Sequence, residues 1–407
     1  MLAVEFPAGY LGCPATTISS TALETKRSKL CNMSKSRELT VSCMCGVVTH
    51  TFYVPTSSLP LPTHLCSCNI SRHISGSLLT SYVNITHGEG FKSPELVHLT
   101  AYRSSDTLTR HFCSKCGTHM YLEYHDDGHF EAATGTLKVE NTDGIVEYKS
   151  HIWIEDTLDG GASVFVPRFN GKALKRYSQE PEKSKEVPLN WHADGGTRQS
   201  DTSGKIYAHC HCKGVEFFIS PPNDDSKTAK SPYSDLVFPD STGAAPNPNN
   251  DPWWLPGHNR FLAGTCACKS CSRASGFDIT FWAFIPAINV TLDAEGLKPY
   301  TKSPHWGTIK SYRSSESVTR SFCERCGANV FWEGDGRPTL LDIAVGLLDA
   351  PSGVRAEEIL SWWPKRVSFQ EAALNKELIR NLGEGLANWG ESNKETGAVA
   401  TTTYPVV

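Results

Sequence analysis

The segment YRSSESVTRSFCERCGANVFWE, residues 312–333, is a second copy of YRSSDTLTRHFCSKCGTHMYLEY, residues 102–124. Tyr, Arg, two Ser, Thr, Arg, Phe, two Cys and Gly recur at the same offsets. Aromatic and β-branched residues flank each Cys-x-x-Cys-Gly, so each copy reads as strand, tight turn, strand. Working outward, Cys43-Met-Cys45 matches Cys210-His-Cys212, and setting Cys68 on Cys268 places Gly76 on Gly276. One internal duplication accounts for all of these matches, and the expected fold is mainly β, in two tandem domains.

The repeat sets the first domain at 39–170 and the second at 204–370. Residues 1–38 carry Cys13 and Cys31 outside any ligand spacing and read as a flexible N-terminal extension. Residues 171–203, rich in Lys, Glu, Ser, Gly and Asp, read as a solvated linker. The second copy has an insertion at 221–260 that is polar and Pro-rich but contains Trp253-Trp254. A loop of that length reads either as a lid over substrate, with both tryptophans binding it, or as plain packing on the domain. Ala372, Leu378, Ile379, Leu382 and Leu386 fall near helical spacing and predict a short C-terminal helix with a polar tail over 371–407.

A formal net charge of −4 gives no broad electrostatic attraction to nucleic acid or anionic lipid, and the charges around Lys115 and Arg325 are too sparse for a basic stripe. The most apolar stretch, 277–292, is broken by Asp278, Thr280 and Asn289 and reads as strands, so no membrane span is expected. The first thirty residues lack the charged start and apolar run of a signal peptide, which points to a reducing, cytoplasmic setting. There, closely spaced thiols among the 15 cysteines serve metals more often than disulfides.

Four thiolates around zinc lie about 3.8 Å apart, from a tetrahedron with Zn–S of about 2.3 Å. A Cys-x-x-Cys-Gly knuckle offers two and a Cys-x-Cys at a hairpin corner offers two more. Cys43, Cys45, Cys113 and Cys116 are therefore expected to form one structural zinc site, and Cys210, Cys212, Cys323 and Cys326 another. Cys266, Cys268 and Cys271 supply only three ligands, leaving a fourth position for substrate or water. Three thiolates make a net negative centre, better suited to thiol exchange than to hydrolysis. The first copy keeps Cys66 and Cys68 but has Ser71 in place of the third thiol, so that site is expected to be empty unless His64 or His73 substitutes.

With these motifs in place, the chain resembles the glutathione-dependent formaldehyde-activating enzyme (Gfa) / centromere protein V family, in a tandem form. The shared pattern is Cys-x-Cys, then Cys-x-Cys-x-x-Cys, then the Tyr-x-Ser-Ser…Arg-x-Phe-Cys-x-x-Cys-Gly block, across both repeats. The resemblance implies an Mss4-like β-sandwich for each repeat, a structural zinc in each, and a labile zinc beside a glutathione site at Cys266, Cys268 and Cys271. The chain departs from the pattern twice. Ser272 stands where the family has Arg after the third cysteine, with Arg273 one residue later. Gly135-Thr-Leu137 and His151 follow the family in the first copy, whereas Gly346-Leu-Leu348 is followed by Leu360-Ser-Trp362.

The expected activity is a zinc-dependent carbon–sulfur lyase or synthase acting on adducts of glutathione, or a similar thiol, with an electrophilic carbon. A glutathionylated secondary metabolite fits the bulky insertion better than formaldehyde. Cys266, Cys268, Cys271 and Arg273 are the expected catalytic group, Arg313 and Arg320 the expected carboxylate binders, and Asp278 and His258 candidate proton carriers. The alternative is a non-catalytic tandem zinc scaffold for a protein or nucleic-acid partner. Duplication also makes a homodimer or an intramolecular pseudo-dimer reasonable.

Overall fold

The computed structural model describes residues 36–86, 91–194, 204–239, 245–303 and 305–401. The expected N-terminal extension up to residue 35, the end of the expected linker at 195–203, residues 240–244 of the insertion and residues 402–407 of the tail lie outside the described residues.

The Cys43-Met-Cys45-Gly46 turn closes a hairpin of Ser36–Ser42 with Thr49–Pro55, and Gly46 takes the left-handed conformation the turn needs (φ 75°). In the second half Lys213 adopts that conformation (φ 53°) between Ile206–His209 and Glu216–Ile219. Each knuckle closes another hairpin, Leu108–Cys113 with His119–Tyr124 and Val318–Cys323 with Asn329–Gly334. The register shifts at the same point in both, between His111 and Phe112 and between Ser321 and Phe322. On the other side Tyr102 pairs with Arg110 and Tyr312 with Arg320. The duplication is thus written in the hydrogen-bond ladders as well as in the letters.

The first half arranges Tyr82–Asn84, Phe130–Ala133, His119–Tyr124, Leu108–Cys113 and Leu99–Arg103 as an antiparallel sheet in that order, beside a parallel pair of Leu61–Cys66 and Val146–Ile152. In the second half the corresponding strands merge into one seven-stranded sheet that runs from Ile309–Ser315 to Leu360–Trp362. The molecule is mainly β. Each half adds one short helix, Asn69–Ser75 or Lys269–Ser275. Its N-cap is a cysteine, Cys68 or Cys268, whose Sγ accepts the backbone N–H three residues on at 3.2 Å. Each ends on a left-handed glycine, Gly76 (φ 75°) or Gly276 (φ 92°).

Those glycines join the two halves. Gly346 N donates to Gly76 O at 2.9 Å, and Gly135 N donates to Gly276 O at 2.8 Å. Equivalent residues exchange equivalent bonds, as in the isologous interface of a two-fold dimer. Further pairs follow the same rule. A Cβ on Gly117 would lie 2.6 Å from Phe322, and one on Gly327 would lie 2.7 Å from Phe112. The symmetry is not complete: Asn329 Nδ2 donates to Ser75 O at 3.2 Å, whereas its counterpart His119 bonds Gly327 O through Nε2 at 3.0 Å. Gly-x-Leu at Gly135 and Gly346 therefore serves the close approach between halves.

Residues 172–187, expected within a solvated linker, are packed instead. Leu174, Arg176, Tyr177 and Val187 are buried, and Lys175–Arg176 pairs in parallel with Ser150 and His151. The few apolar residues of this charged stretch fall where they can dock. The C-terminal helix, Lys376–Ser392, is capped by Asn375 and buries Leu378, Ile379, Leu382, Leu386 and Trp389; Ala372 falls in the preceding 3-10 turn. Its Gly385 lies against Phe165 O, so the helix straps the second half to the first. No helix among the described residues is long and apolar enough to cross a membrane.

Gly276→Ala should cost about 2–4 kcal/mol, because its Cβ would meet His119 O at 2.5 Å and adopt a left-handed conformation. Gly46→Ala, whose Cβ meets nothing within 4 Å, should cost about 1 kcal/mol. Urea denaturation of the two variants checks the difference.

Candidate functional site

Three groups of sulfurs converge. Cys43, Cys45, Cys113 and Cys116 form one, Cys210, Cys212, Cys323 and Cys326 a second, and Cys266, Cys268 and Cys271 a third; within each, all sulfurs lie within 4.8 Å of one another. Spacings of 3.5 Å (Cys43–Cys45), 3.7 Å (Cys45–Cys113), 3.5 Å (Cys210–Cys212) and 3.5 Å (Cys212–Cys323) are close to the edge of a tetrathiolate tetrahedron, about 3.8 Å. Val48 N and Val215 N donate to Cys43 and Cys210 at 3.4 and 3.3 Å, which favours thiolate over thiol. These are donor sets that could hold a metal.

Each four-cysteine group lies close to the other half. Tyr102 bonds His211 Nδ1 at 2.7 Å beside the second group, and burial and the nearby sulfurs push its hydroxyl up to about 12. Thr118 Oγ1 lies 3.2 Å from Cys116 and donates to Arg273 O at 2.8 Å. The backbone of Arg273 therefore meets the first four-cysteine group across the interface, and Arg273 does not line the cavity at Cys271.

The third group differs in setting. Cys266 ends the strand Phe261–Cys266, Cys268 caps the following helix, and Cys271 lies in its first turn. All three open onto a cavity of about 470 Å³. Arg320, buried in the wall, places Nη2 3.5 Å from Cys271 Sγ and 3.1 Å from Ser270 Oγ. Hydrogen bonds from Cys266 and Cys268, together with Arg320, hold the Cys271 thiol well below its ordinary value.

Further out, Trp282, Phe284 and Trp332 give the cavity aromatic walls. Arg337 stacks 4.3 Å over Trp332 and bonds Asp342 Oδ2 at 2.7 Å. Among the described residues Arg320 Nε, Arg337 Nη1 and Asp342 Oδ1 are buried without a hydrogen-bond partner. Such groups are costly unless something satisfies them, so they mark positions for polar groups of a ligand. Burial raises the Asp342 carboxyl above its ordinary value, against the opposing pull of Arg337.

The insertion contributes to this site by a route the sequence did not show. Trp253 and Trp254 do not line the cavity. They are fully buried, their indole N–H groups donate to Pro232 O and Ser226 O, and Trp253 packs edge-on against Phe284 at 4.9 Å. Ser231–Leu236 from the same insertion do line it. Asp235 ties them down by accepting from Phe369 N at 2.6 Å and pairing with Arg366 at 3.1 Å. The tryptophan pair anchors a wall that other residues present.

Arg313 lies on the surface, paired with Asp335 at 2.5 Å, and does not line the cavity. Asp278 is buried between the halves, where Thr134 and Tyr148 donate to its Oδ2 at 2.6 and 2.7 Å. The His258 side chain lies outside the described residues. His151 is buried against Val166 O at 2.8 Å and does not line the cavity, so the second copy's departure at the corresponding position falls outside the site. Arg337, Asp342, Trp282 and Trp332 are the wall residues that motif spacing missed. Their one signal is the alternation of Trp282 and Phe284 on one strand face.

Trp253→Ala should destabilise the chain by about 3–5 kcal/mol in urea denaturation, as a core truncation does; unchanged stability would mean that the indole is not packed.

The family model described as glutathione-dependent formaldehyde-activating enzyme matches residues 38–156 and 257–365, together more than half of the chain. The second match begins after Cys210 and Cys212, so it is the fold that carries this pair to Cys323 and Cys326. No curated protein and no solved structure matches the chain.

Proposed function

The chain belongs to the glutathione-dependent formaldehyde-activating enzyme family, and from that premise we propose that its second half makes or breaks a carbon–sulfur bond between glutathione, or a similar thiol, and an electrophilic carbon. The observation that carries this reading is a set of three thiols at the base of a cavity, with no fourth Cys, His, Asp or Glu donor joining them among the described residues. The two four-cysteine groups have no such opening and would hold structural zinc.

Zinc at Cys266, Cys268 and Cys271 would supply an open coordination position that lowers the pKa of an incoming thiol. The protein's own groups do the rest. Arg320 offsets the negative charge of the three thiolates and keeps a buried, unpartnered Nε in the cavity wall. Arg337 offers an N–H to a carboxylate, a group glutathione has twice. Asp342, whose carboxyl burial raises above its ordinary value, lines the cavity as the group to hold a proton for the carbon-bound oxygen. Trp282, Phe284 and Trp332 exclude water and hold the electrophile near the thiol.

A cavity of about 470 Å³ with three aromatic walls accommodates an electrophile far larger than formaldehyde. The substrate we favour is an adduct of glutathione with a bulky apolar carbon skeleton.

Elemental analysis should find about three zinc ions per chain in the wild type and about two in Cys271→Ser, with little change in stability. Cys323→Ser, which breaks a closed site, should unfold the second half. In NMR assays of glutathione with aldehydes of increasing size, Cys271→Ser should lose at least about 100-fold in conversion rate. Equal activity of wild type and Cys271→Ser would overturn the proposal.

A further inference from the structure

The first half keeps its own cavity, of about 440 Å³, at the position equivalent to the one above. Cys66, Cys68 and Ser71 line it together with Arg110, Tyr82, Tyr124 and Glu131. Replacement of the third thiol by Ser71 has not left this site unbuilt. Arg110 Nη2 donates to Ser71 Oγ at 3.0 Å, and the same oxygen lies 3.1 Å from Cys68 Sγ and 3.8 Å from Cys66 Sγ. Ser71 N also donates to Cys68 Sγ at 3.2 Å. Cys68 Sγ thus accepts from Ser71 N and lies 3.1 Å from the oxygen that the buried Arg110 holds, whereas Cys66 has one contact at 3.8 Å. Among the described residues no His, Asp or Glu joins this pair to form a metal-binding group.

We propose that Cys68 is a metal-independent nucleophile that adds reversibly to the carbonyl carbon of an aldehyde entering the first-half cavity. The Cys68 thiolate forms the S–C bond, the carbonyl π pair moves to oxygen, and that oxygen takes a proton from the Glu131 carboxyl, giving an enzyme-bound hemithioacetal. The thiol proton has already left to solvent, so the step needs neither oxidant nor co-reactant. Reversal returns the aldehyde. This site is separate from the three-thiol centre, and the inference stands whether or not that centre is catalytic.

The titratable side chains facing Cys68 in the cavity are Cys66, Arg110, His64, Tyr82, Tyr124 and Glu131; behind it, Asp156 accepts from Asn69 N at 2.8 Å. Hydrogen bonding with Cys66, the charge of Arg110 and the Ser71 bonds lower the Cys68 thiol to about 6. Burial raises Glu131 to about 7. Thiolate and carboxylic acid therefore coexist between about pH 6 and 7, and the acid is lost as pH rises through the upper value.

The test is alkylation of the full-length, metal-loaded protein by iodoacetamide, read at Cys68 and Cys66 by peptide mass spectrometry, with and without propanal. The Cys68 rate should fall less than about threefold from pH 8 to pH 6, against tens of fold for an ordinary thiol. Propanal should slow it saturably and reversibly, most strongly between pH 6 and 7. Ser71→Cys, which restores three thiols, should bind one further zinc and abolish alkylation. An ordinary-thiol pH profile at Cys68, no effect of propanal, or protection of Cys68 that a chelator removes would each overturn the proposal.

Discussion

The structure depends on two backbone hydrogen bonds, Gly346 N to Gly76 O and Gly135 N to Gly276 O. Each ends a short helix of one half on the backbone of the other. Each such helix begins at a cysteine that faces its own half's cavity, so the site end of the helix and the interface end are fixed by one rigid element. A side chain at Gly76 or Gly276 would meet Asn329 O or His119 O at 2.4 or 2.5 Å and push the helix out of place. The position of Cys271 is thereby set partly by residues more than a hundred positions earlier in the chain. Neither half presents its thiols independently of the other.

On this common frame the two halves diverge by few substitutions with large chemical consequences. A sulfur at Cys271 beside Arg320 completes a three-thiol set; an oxygen at Ser71 beside Arg110 converts the same place into a hydrogen-bonded support for one thiol. The walls follow suit. Trp282, Trp332 and Asp342 in the second half stand where the first half has Tyr82, Leu122 and Glu131. Duplication supplied two cavities of similar volume, and side-chain identity gave them different chemistry.

The fold class and the family were legible because both rest on local pattern. Alternating strands, the Cys-x-x-Cys-Gly turns and their repetition are visible in short windows, and so was the grouping of thiols, since a hairpin corner and a knuckle have few ways to meet. Function-bearing features assembled from distant strands were not. Arg337 and Asp342 join Cys271 at one cavity only by folding, and nothing in sequence distinguished Arg320, at Cys271, from Arg313, next to its strand partner Tyr312 but paired with Asp335 on the surface. The adjacent tryptophans of the insertion suited a lid over substrate as well as packing, and they prove to be buried, while the cavity-facing residues Ser231–Leu236 were too ordinary to stand out. The packed residues 172–187 show the same limit: sparse apolar residues within a charged segment give no periodic signal, yet Leu174, Tyr177 and Val187 suffice to hold it down.

On the proposed function, one of the three thiol groups is open to an exogenous thiol while the other two are closed. Cobalt substitution followed by titration with glutathione tests it most directly, because sulfur-to-cobalt charge-transfer absorption counts thiolate ligands. Glutathione should add one thiolate's intensity per chain, Cys271→Ser should lose this increment, and the absorption of the two four-cysteine groups should stay constant. A spectrum that does not respond to glutathione in the fully loaded wild type would contradict it.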